Sequence, residues 1–98
     1  MDLGLQGKVA IVTGGSDGIG KGAALSLARE GAKVLVTDVS EENATKTVQQ
    51  IRDEKIGQAE LYIGDATLKE DSKSMIEAAL KNFGRLNVLV NNLGYGFS

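Results

Sequence analysis

The turn between Thr13 and Gly20 constrains the fold of this chain more than any other stretch. The residues from Lys8 to Thr13 are mostly apolar and β-branched, which is typical of a strand buried on both faces of a parallel sheet. A helical pattern of apolar residues begins at Gly18, directly after the turn. The sequence therefore predicts a strand, a sharp glycine-rich turn and a helix in immediate succession.

The glycine spacing in this turn suits an anion at the start of the helix. The first N–H groups of a helix lack partners within it, and the aligned peptide dipoles place positive charge there, so a pyrophosphate fits. The spacing Gly14-x-x-x-Gly18-x-Gly20 differs from G-x-G-x-x-G but solves the same geometric problem. A flexible surface loop between two elements is the alternative, and the turn alone leaves both interpretations open.

An acidic residue ends the second predicted strand. Asp38 follows Gly20 by 18 positions, close to the roughly 20-residue interval at which an acid meets the ribose hydroxyls of a dinucleotide. Asp38 could instead be a surface acid that starts the next connection. A carboxylate there repels a 2′-phosphate, and no Lys or Arg follows Asp38 directly or lies between Gly14 and Gly18. These features favour NAD over NADP as the cofactor.

Strand-like and helix-like patterns alternate along the whole chain. We predict strands over about residues 8–13, 33–38, 59–64 and 86–90, and helices over about residues 18–30, 41–54 and 68–83. This alternation predicts one α/β domain over residues 1–98, with an open parallel sheet and right-handed crossovers. The order expected for its strands is 3-2-1-4. No internal repeat or linker divides the chain.

Local signals predict how each helix begins, ends and packs. Ser40 is expected to cap the second helix, Thr67 and Glu70 have capping-box spacing before the third, and Gly31 and Gly84 are expected to follow helix ends. The apolar stripes predicted to face the sheet are Ile19, Ala23 and Leu27 in the first helix, with Ala24 and Ala28 beside them, Ala44, Val48 and Ile51 in the second, and Leu68, Met75, Ile76, Ala79, Leu80 and Phe83 in the third.

Four motifs together resemble the classical short-chain dehydrogenase/reductase superfamily, over about residues 5–94. They are Thr13-Gly14-x-x-x-Gly18-Ile19-Gly20, Asp38, Asp65-Ala66 and Asn91-Asn92-Leu93-Gly94. The resemblance implies a Rossmann-like fold that is incomplete relative to the full family fold. In that family a catalytic serine and a tyrosine-x-x-x-lysine pair come well after the last motif, and Tyr95 has no lysine four residues on. The expectation is thus a fragment with no catalytic residue of its own, inactive alone.

The resemblance also implies which residues bind the cofactor. Asp38 would accept from the ribose, Asp65 would bond the adenine amino group beside Ala66, and Asn91 would brace neighbouring strands. The full set implied for cofactor binding is Gly14, Ser16, Asp17, Gly18, Ile19, Gly20, Asp38, Val39, Asp65, Ala66, Asn92 and Gly94. Asp65 could instead cap the Thr67 region, and the two asparagines could simply end a strand. Ala66 and Leu93 depart from the family's usual Val and Ala.

Composition excludes several classes of partner and site. The net charge of −2 and pI near 5.0 provide no basic face for nucleic acid. The sequence contains no Cys and no His, which removes disulfides, the usual zinc sites, and thiol or imidazole catalysis. No apolar segment approaches the roughly 20 residues that span a bilayer, and no signal peptide is evident. A cytoplasmic protein that binds no membrane is therefore expected.

Two functional hypotheses follow. The first is the cofactor portion of an NAD-dependent oxidoreductase that transfers hydride between nicotinamide and a small carbonyl or alcohol substrate. The second is a stand-alone nucleotide-binding module without catalysis.

In either case the fourth strand, with Val88, Leu89 and Val90, is expected to form a bare apolar edge. We therefore expect a homo-oligomer, or a marginally stable chain that associates.

Overall fold

The computed structural model describes residues 4–14 and 18–91, which form four strands and three helices. The elements in chain order are β1 (Val9–Thr13), α1 (Gly18–Arg29), β2 (Lys33–Asp38), α2 (Glu41–Asp53), β3 (Gln58–Ile63), α3 (Lys69–Phe83) and β4 (Val88–Asn91). All strand pairs are parallel, in the order β3-β2-β1-β4. The predicted α/β fold and strand order are confirmed, with element ends shifted by one or two residues.

The first face of the sheet is covered by α1 and α2. Val12, Val34 and Val36 point to this face from β1 and β2, as alternate residues of a strand do. The helices contribute Ala24, Leu25, Ala28, Ala44, Val48 and Ile51 to the same buried cluster. The stripe predicted for α2 is therefore confirmed, and two helices seal this side of the sheet.

The second face is covered by α3 alone. Val9, Ile11 and Leu35 point to it and pack against Met75 and Ala79. The rest of the predicted α3 stripe is only partly right, because Leu68, Ile76 and Leu80 are exposed by 54%, 40% and 48%. A single helix cannot cover four strands, so the side of α3 nearer β4 remains open.

The predicted stripe of α1 is wrong at Ile19, which is 79% exposed. The helix buries Ala24 and Ala28, which were predicted beside the stripe, together with Gly20 and Leu25. Small residues spaced four apart let the helix axis approach the sheet closely, so their side of the helix faces it. Ile19 lies one residue, or about 100°, away from Gly20 around the helix.

Helix ends follow the predicted signals in all but one case. The Ser40 hydroxyl accepts from the Asn43 N–H at 3.3 Å, and Gly31 and Gly84 have left-handed backbones. The capping box predicted for Thr67 and Glu70 does not form. The helix begins one residue later than the capping box requires: the N-cap of α3 is Leu68, which has no side-chain cap bond. The Thr67 hydroxyl donates to Asp65.

Candidate functional site

The carboxyl ends of β1, β2 and β3 enclose a cleft between two connecting turns. In a parallel sheet these ends lie on one edge, so residues far apart in sequence meet there. The residues lining the cleft come from the end of β1, the turn after β2 and the turn after β3: Gly14, Thr37, Asp38, Val39, Gly64, Asp65, Ala66 and Thr67. Five of the predicted site residues, Gly14, Asp38, Val39, Asp65 and Ala66, are brought together here.

Gly14 forms the end of the cleft next to β1. Gly14 has φ of +64°, a backbone conformation that glycine adopts without a Cβ clash, so the chain can leave the strand abruptly. The helix begins at Gly18, where a Cβ would meet no atom of the described residues within 4 Å. The absence of a side chain at Gly18 therefore leaves open space beside the first turn of α1.

Asp38 and Val39 form one wall of the cleft. The Asp38 carboxylate accepts from the Ser40 N–H at 3.0 Å, which fixes the side chain against the turn into α2. Asp38 therefore does start the next connection, as the alternative interpretation held, while it also lines the cleft. Val39 follows with 68% of its surface exposed. A fixed carboxylate thus lies beside an apolar side chain that is open to a ligand.

The opposite wall, residues 64–67, is held in place by several hydrogen bonds. Asp65 Oδ1 accepts from the Thr67 hydroxyl at 2.6 Å and from the Thr67 N–H at 2.9 Å. From α3, the Asp71 carboxylate accepts from the Asp65 N–H at 2.8 Å, and the Ser72 hydroxyl donates to the Ala66 carbonyl at 2.8 Å. The wall is therefore preorganised, which lowers the cost of ordering it around a ligand.

Hydrogen bonding also sets the charge of Asp65. The Thr67 hydroxyl, and after it the Thr67 N–H, hold the pKa of this carboxyl below its ordinary value of 3.8, although desolvation acts in the opposite direction. Asp65 is therefore ionised at neutral pH. The alternative interpretation, in which Asp65 caps the Thr67 region, describes the bonds in the structure. Both of these bonds go to Oδ1. Oδ2 of Asp65 accepts from none of the described residues, so it can accept a hydrogen bond from a ligand.

Thr13 and Asn91 connect β1 to β4 at the same edge of the sheet. Asn91 lies opposite Thr13 in the strand register. The Thr13 hydroxyl is 3.1 Å from Asn91 Oδ1 and 3.3 Å from the Val90 carbonyl oxygen. The strand-bracing role expected for Asn91 agrees with this contact.

Sequence reasoning missed one residue that lines this cleft and two that support it. Asp71 and Ser72 hold the 64–67 wall from α3. Asp71 is the third residue of this helix, and an acid at that position often reaches back toward the preceding turn, so this signal could have revealed it. Thr37 is fully buried in the wall of the cleft. In the described part of the chain, its hydroxyl is the buried side-chain polar atom without a hydrogen-bond partner.

The remaining predicted site residues lie around the start of α1 or outside the described ranges. Gly18, Ile19 and Gly20 form the first turn of α1. Ser16, Asp17, Asn92 and Gly94 lie outside the described residues. Across residues 4–14 and 18–91, no cluster of acidic residues could hold a metal ion, and none of the helices is long and apolar enough to cross a membrane.

Comparison with known proteins identifies the class. The family model for short chain dehydrogenase matches residues 8–98. An uncharacterized oxidoreductase of Thermotoga maritima is 41% identical over 92 residues, which are 94% of this chain and 36% of that protein. The 3-oxoacyl-[acyl-carrier-protein] reductase FabG of the same organism is 38% identical over 90 residues, which are 92% of this chain and 36% of that protein.

Solved structures agree with the sequence matches. The crystal structure of hydroxysteroid dehydrogenase from Escherichia coli superposes with a TM-score of 0.90 at 36% identity, covering 95% of this chain and 39% of that one. The chain therefore belongs to the short-chain dehydrogenase family of oxidoreductases. It spans a little over a third of the length of these relatives, and it corresponds to their amino-terminal, Rossmann-like portion.

Proposed function

We propose that this chain is the cofactor-binding portion of an NAD-dependent oxidoreductase. When bound, nicotinamide supplies hydride exchange at its C4 with a carbonyl or alcohol carbon of a small substrate. The chain binds and orients the dinucleotide, and the family's serine, tyrosine and lysine, which act on the substrate, come from the part of the fold that follows. The observation that carries the proposal is the fixed Asp38 carboxylate in a cleft that begins at the Gly14 turn.

The cleft residues suit the adenosine end of the cofactor. Asp38 accepts from the ribose hydroxyls, Val39 packs on one side of the adenine ring, and Asp65 with Ala66 meets its edge. The ionised state of Asp65 supports this arrangement, because a carboxylate accepts strongly from an exocyclic amino group. Ser16, Asp17, Asn92 and Gly94 complete the proposed cofactor set by resemblance to the family.

The start of α1 suits the pyrophosphate. The helix dipole and the outward N–H groups of a first helical turn favour an anion at this end, and Gly18 has open space where a side chain would otherwise stand. Ile19 is exposed and available for contact with the ligand. A negatively charged Asp38 nearby disfavours the 2′-phosphate of NADP, so NAD is the proposed cofactor.

Replacing Asp38 tests the ribose assignment. We expect Asp38→Ala to weaken NAD binding by about 1.5 to 3 kcal/mol, the range for hydrogen bonds to a charged group. Calorimetric titration of the purified protein with NAD and NADP measures the change. Asp53→Ala is the matched control, because Asp53 is an exposed acid at the far end of α2. Tighter binding of NADP than of NAD by the unmutated protein would overturn the cofactor assignment.

Replacing Gly18 tests the pyrophosphate assignment. We expect Gly18→Val to lower NAD affinity by more than about tenfold, or ~1.4 kcal/mol, because the new side chain occupies the approach to the helix start. The fold should persist, since a Cβ there meets no described atom within 4 Å. Gly22→Val is the control: it makes the same change one turn along α1, also in open space. Equal NAD affinity in both variants would show that the turn is only a connection.

A further inference from the structure

A second cleft lies at the opposite edge of the sheet from the proposed cofactor cleft. It forms where β2 and β3 begin and where α1 and α2 end. Its volume is about 330 Å³, within the roughly 300 to 1,000 Å³ of small-molecule sites. We call it the basal cleft, and its polar lining residues are Gln6, Arg29, Lys33, Lys55 and Gln58.

The basal cleft gathers positive charge in an acidic chain. Three of its lining residues are basic and none of the described ones is acidic, although the net charge of the chain is −2. Arg29 pairs with Glu54 at 3.4 Å, and its guanidinium has further N–H groups to donate to a ligand. Among the described residues, Lys33 and Lys55 form no ion pair. Their long, flexible side chains can bring two ammonium groups to a ligand in the cleft.

These charges are not needed to complete the ends of α1 and α2. Basic side chains near a helix end often bond its last carbonyls. Here backbone N–H groups of residues 31 and 32 donate to the last turn of α1, and those of residues 55 and 56 donate to the last turn of α2. Lys33 belongs to neither helix, because it is the first residue of β2. The positive charge is therefore available to a ligand.

The backbone of Lys55 is strained. Its φ is +55°, and within the described part of the chain it is the residue other than glycine with a positive φ. Glycine is usual at this position after a helix, because a Cβ makes the left-handed conformation costly. The chain does have glycine in this conformation after α1, at Gly31, and after α3, at Gly84. A strained lysine at the rim of a cleft is a signal of function.

We propose that the basal cleft binds a small molecule through a di- or triphosphate group. Clustered negative charges suit three cations that converge from different elements, and the two glutamine amides add neutral donors. This site goes beyond the proposed function and does not depend on it, since it lies at the edge of the sheet away from Asp38 and Asp65.

An NMR titration with inorganic tripolyphosphate at constant ionic strength tests the site. Amide signals of Gly31 and Gly57, which line the basal cleft, should shift and saturate together. The start of α1 can bind the same probe, so Gly20 reports on that end separately. In Gly18→Val the shifts of Gly31 and Gly57 should persist, because this substitution obstructs only the cofactor end.

Charge variants identify the groups that bind. We expect Lys33→Gln to weaken tripolyphosphate binding at Gly31 and Gly57 about 2- to 5-fold, as loss of one exposed charge pair predicts. Lys33→Arg keeps the charge and should stay within about twofold. Lys73→Gln is the matched control, since it makes the same charge change at an exposed residue of α3. Equal losses in Lys33→Gln and Lys73→Gln would overturn the proposal, because only the overall charge would then matter.

Lys55→Gly separates ligand binding from a structural role. It removes the charge and also the strained Cβ, so this variant should bind tripolyphosphate about 2- to 5-fold more weakly while its urea midpoint stays the same or rises. A lower midpoint would overturn the role of Lys55, since the lysine would then support the fold.

The outcomes also separate this site from the cofactor site. Shifts confined to Gly20 and the start of α1 overturn the basal site and leave the proposed function standing. Saturating shifts at Gly31 and Gly57 in a protein that binds no NAD support the basal site and overturn the proposed function. Tighter binding of polyglutamate than of tripolyphosphate at Gly31 and Gly57 overturns the phosphate chemistry of the ligand.

Discussion

The two faces of the sheet differ in how completely they are covered. On the first face, α1 and α2 bury residues from β1, β2 and β3 in one cluster. On the second face, α3 buries residues of β1 and β2, while Leu89 of β4 remains 55% exposed and Ile76 of α3 remains 40% exposed. The two faces of this sheet therefore bury their apolar residues very unequally. The number of helices that cross each face decides the outcome.

The two edges of the sheet differ in the same sense. At the β3 edge, the Arg52 guanidinium donates to the Ala59 carbonyl at 2.8 Å and pairs with Glu60 at 3.2 Å, so charge and side-chain hydrogen bonding protect the strand. β4 pairs with β1 along one side, and Leu89 projects from it toward the open part of the second face. An apolar edge strand of this kind is available to pair with another chain.

The largest expected effect comes from truncating matched isoleucines on the two faces. Ile51→Ala removes a fully buried side chain of α2 and should lower the free energy of unfolding by about 2 to 5 kcal/mol, because it leaves a cavity under the first face. Ile76→Ala removes a side chain that is 40% exposed and should cost less than about 1.5 kcal/mol. Urea unfolding of both variants measures the difference. Equal costs would mean that the second face is covered in solution.

The next effect concerns association through β4. We predict that the chain self-associates, burying the exposed Leu89 surface, and that Leu89→Lys weakens this association by about tenfold. Ile63→Lys is the matched control, since Ile63 is 38% exposed on the opposite edge strand. Sedimentation over a range of concentrations measures both. The prediction fails if the unmutated chain is a monodisperse monomer that unfolds cooperatively with ordinary domain stability, roughly 5 kcal/mol or more.

Much of the first face and of the strand order was predictable from the sequence. Ala44, Val48 and Ile51 keep helical spacing and are buried, the alternation of elements predicts a parallel sheet, and the expected order 3-2-1-4 is the one observed. The phase of α1 was not predictable from hydrophobicity, because the small residues that permit close approach determine which side faces the sheet. Ile19 was therefore assigned to the core and is exposed.

The cleft was predictable where strand ends carry the signal, and less so where tertiary contacts do. Asp38 and Asp65 both follow from their positions after strands, and both line the cleft. The capping box was wrong because α3 begins one residue later than predicted, so that Leu68 and not Thr67 occupies the N-cap position. Thr37 carries no sequence signal, since a threonine inside a strand is ordinary there. That its hydroxyl has no partner among the described residues becomes evident only once the burial around it is known.

The smallest expected effect concerns how the helices on the two faces begin. On the first face, the Ser40 side chain caps α2 directly. On the second, Leu68 has no cap bond, and the turn before α3 relies on the bonds from Thr67 to Asp65. Thr67→Val removes the hydroxyl that contributes most to the lowered pKa of Asp65, so we expect this pKa to rise toward 3.8. Carboxyl-detected NMR titration measures it, with Thr47→Val as the remote control.

The sign of the pH dependence follows from the lowered pKa of Asp65. A carboxyl whose pKa is lower in the folded than in the unfolded chain adds stability above its ordinary value of 3.8, and this stability is lost as pH falls through the folded pKa. In Thr67→Val the difference between the two states shrinks, so less stability should be lost on acidification than in the unmutated protein. In this variant α3 would begin with neither the Thr67–Asp65 hydroxyl bond nor a side-chain cap like the one that Ser40 provides for α2. An unchanged Asp65 pKa in Thr67→Val would show that the backbone N–H alone organises this turn.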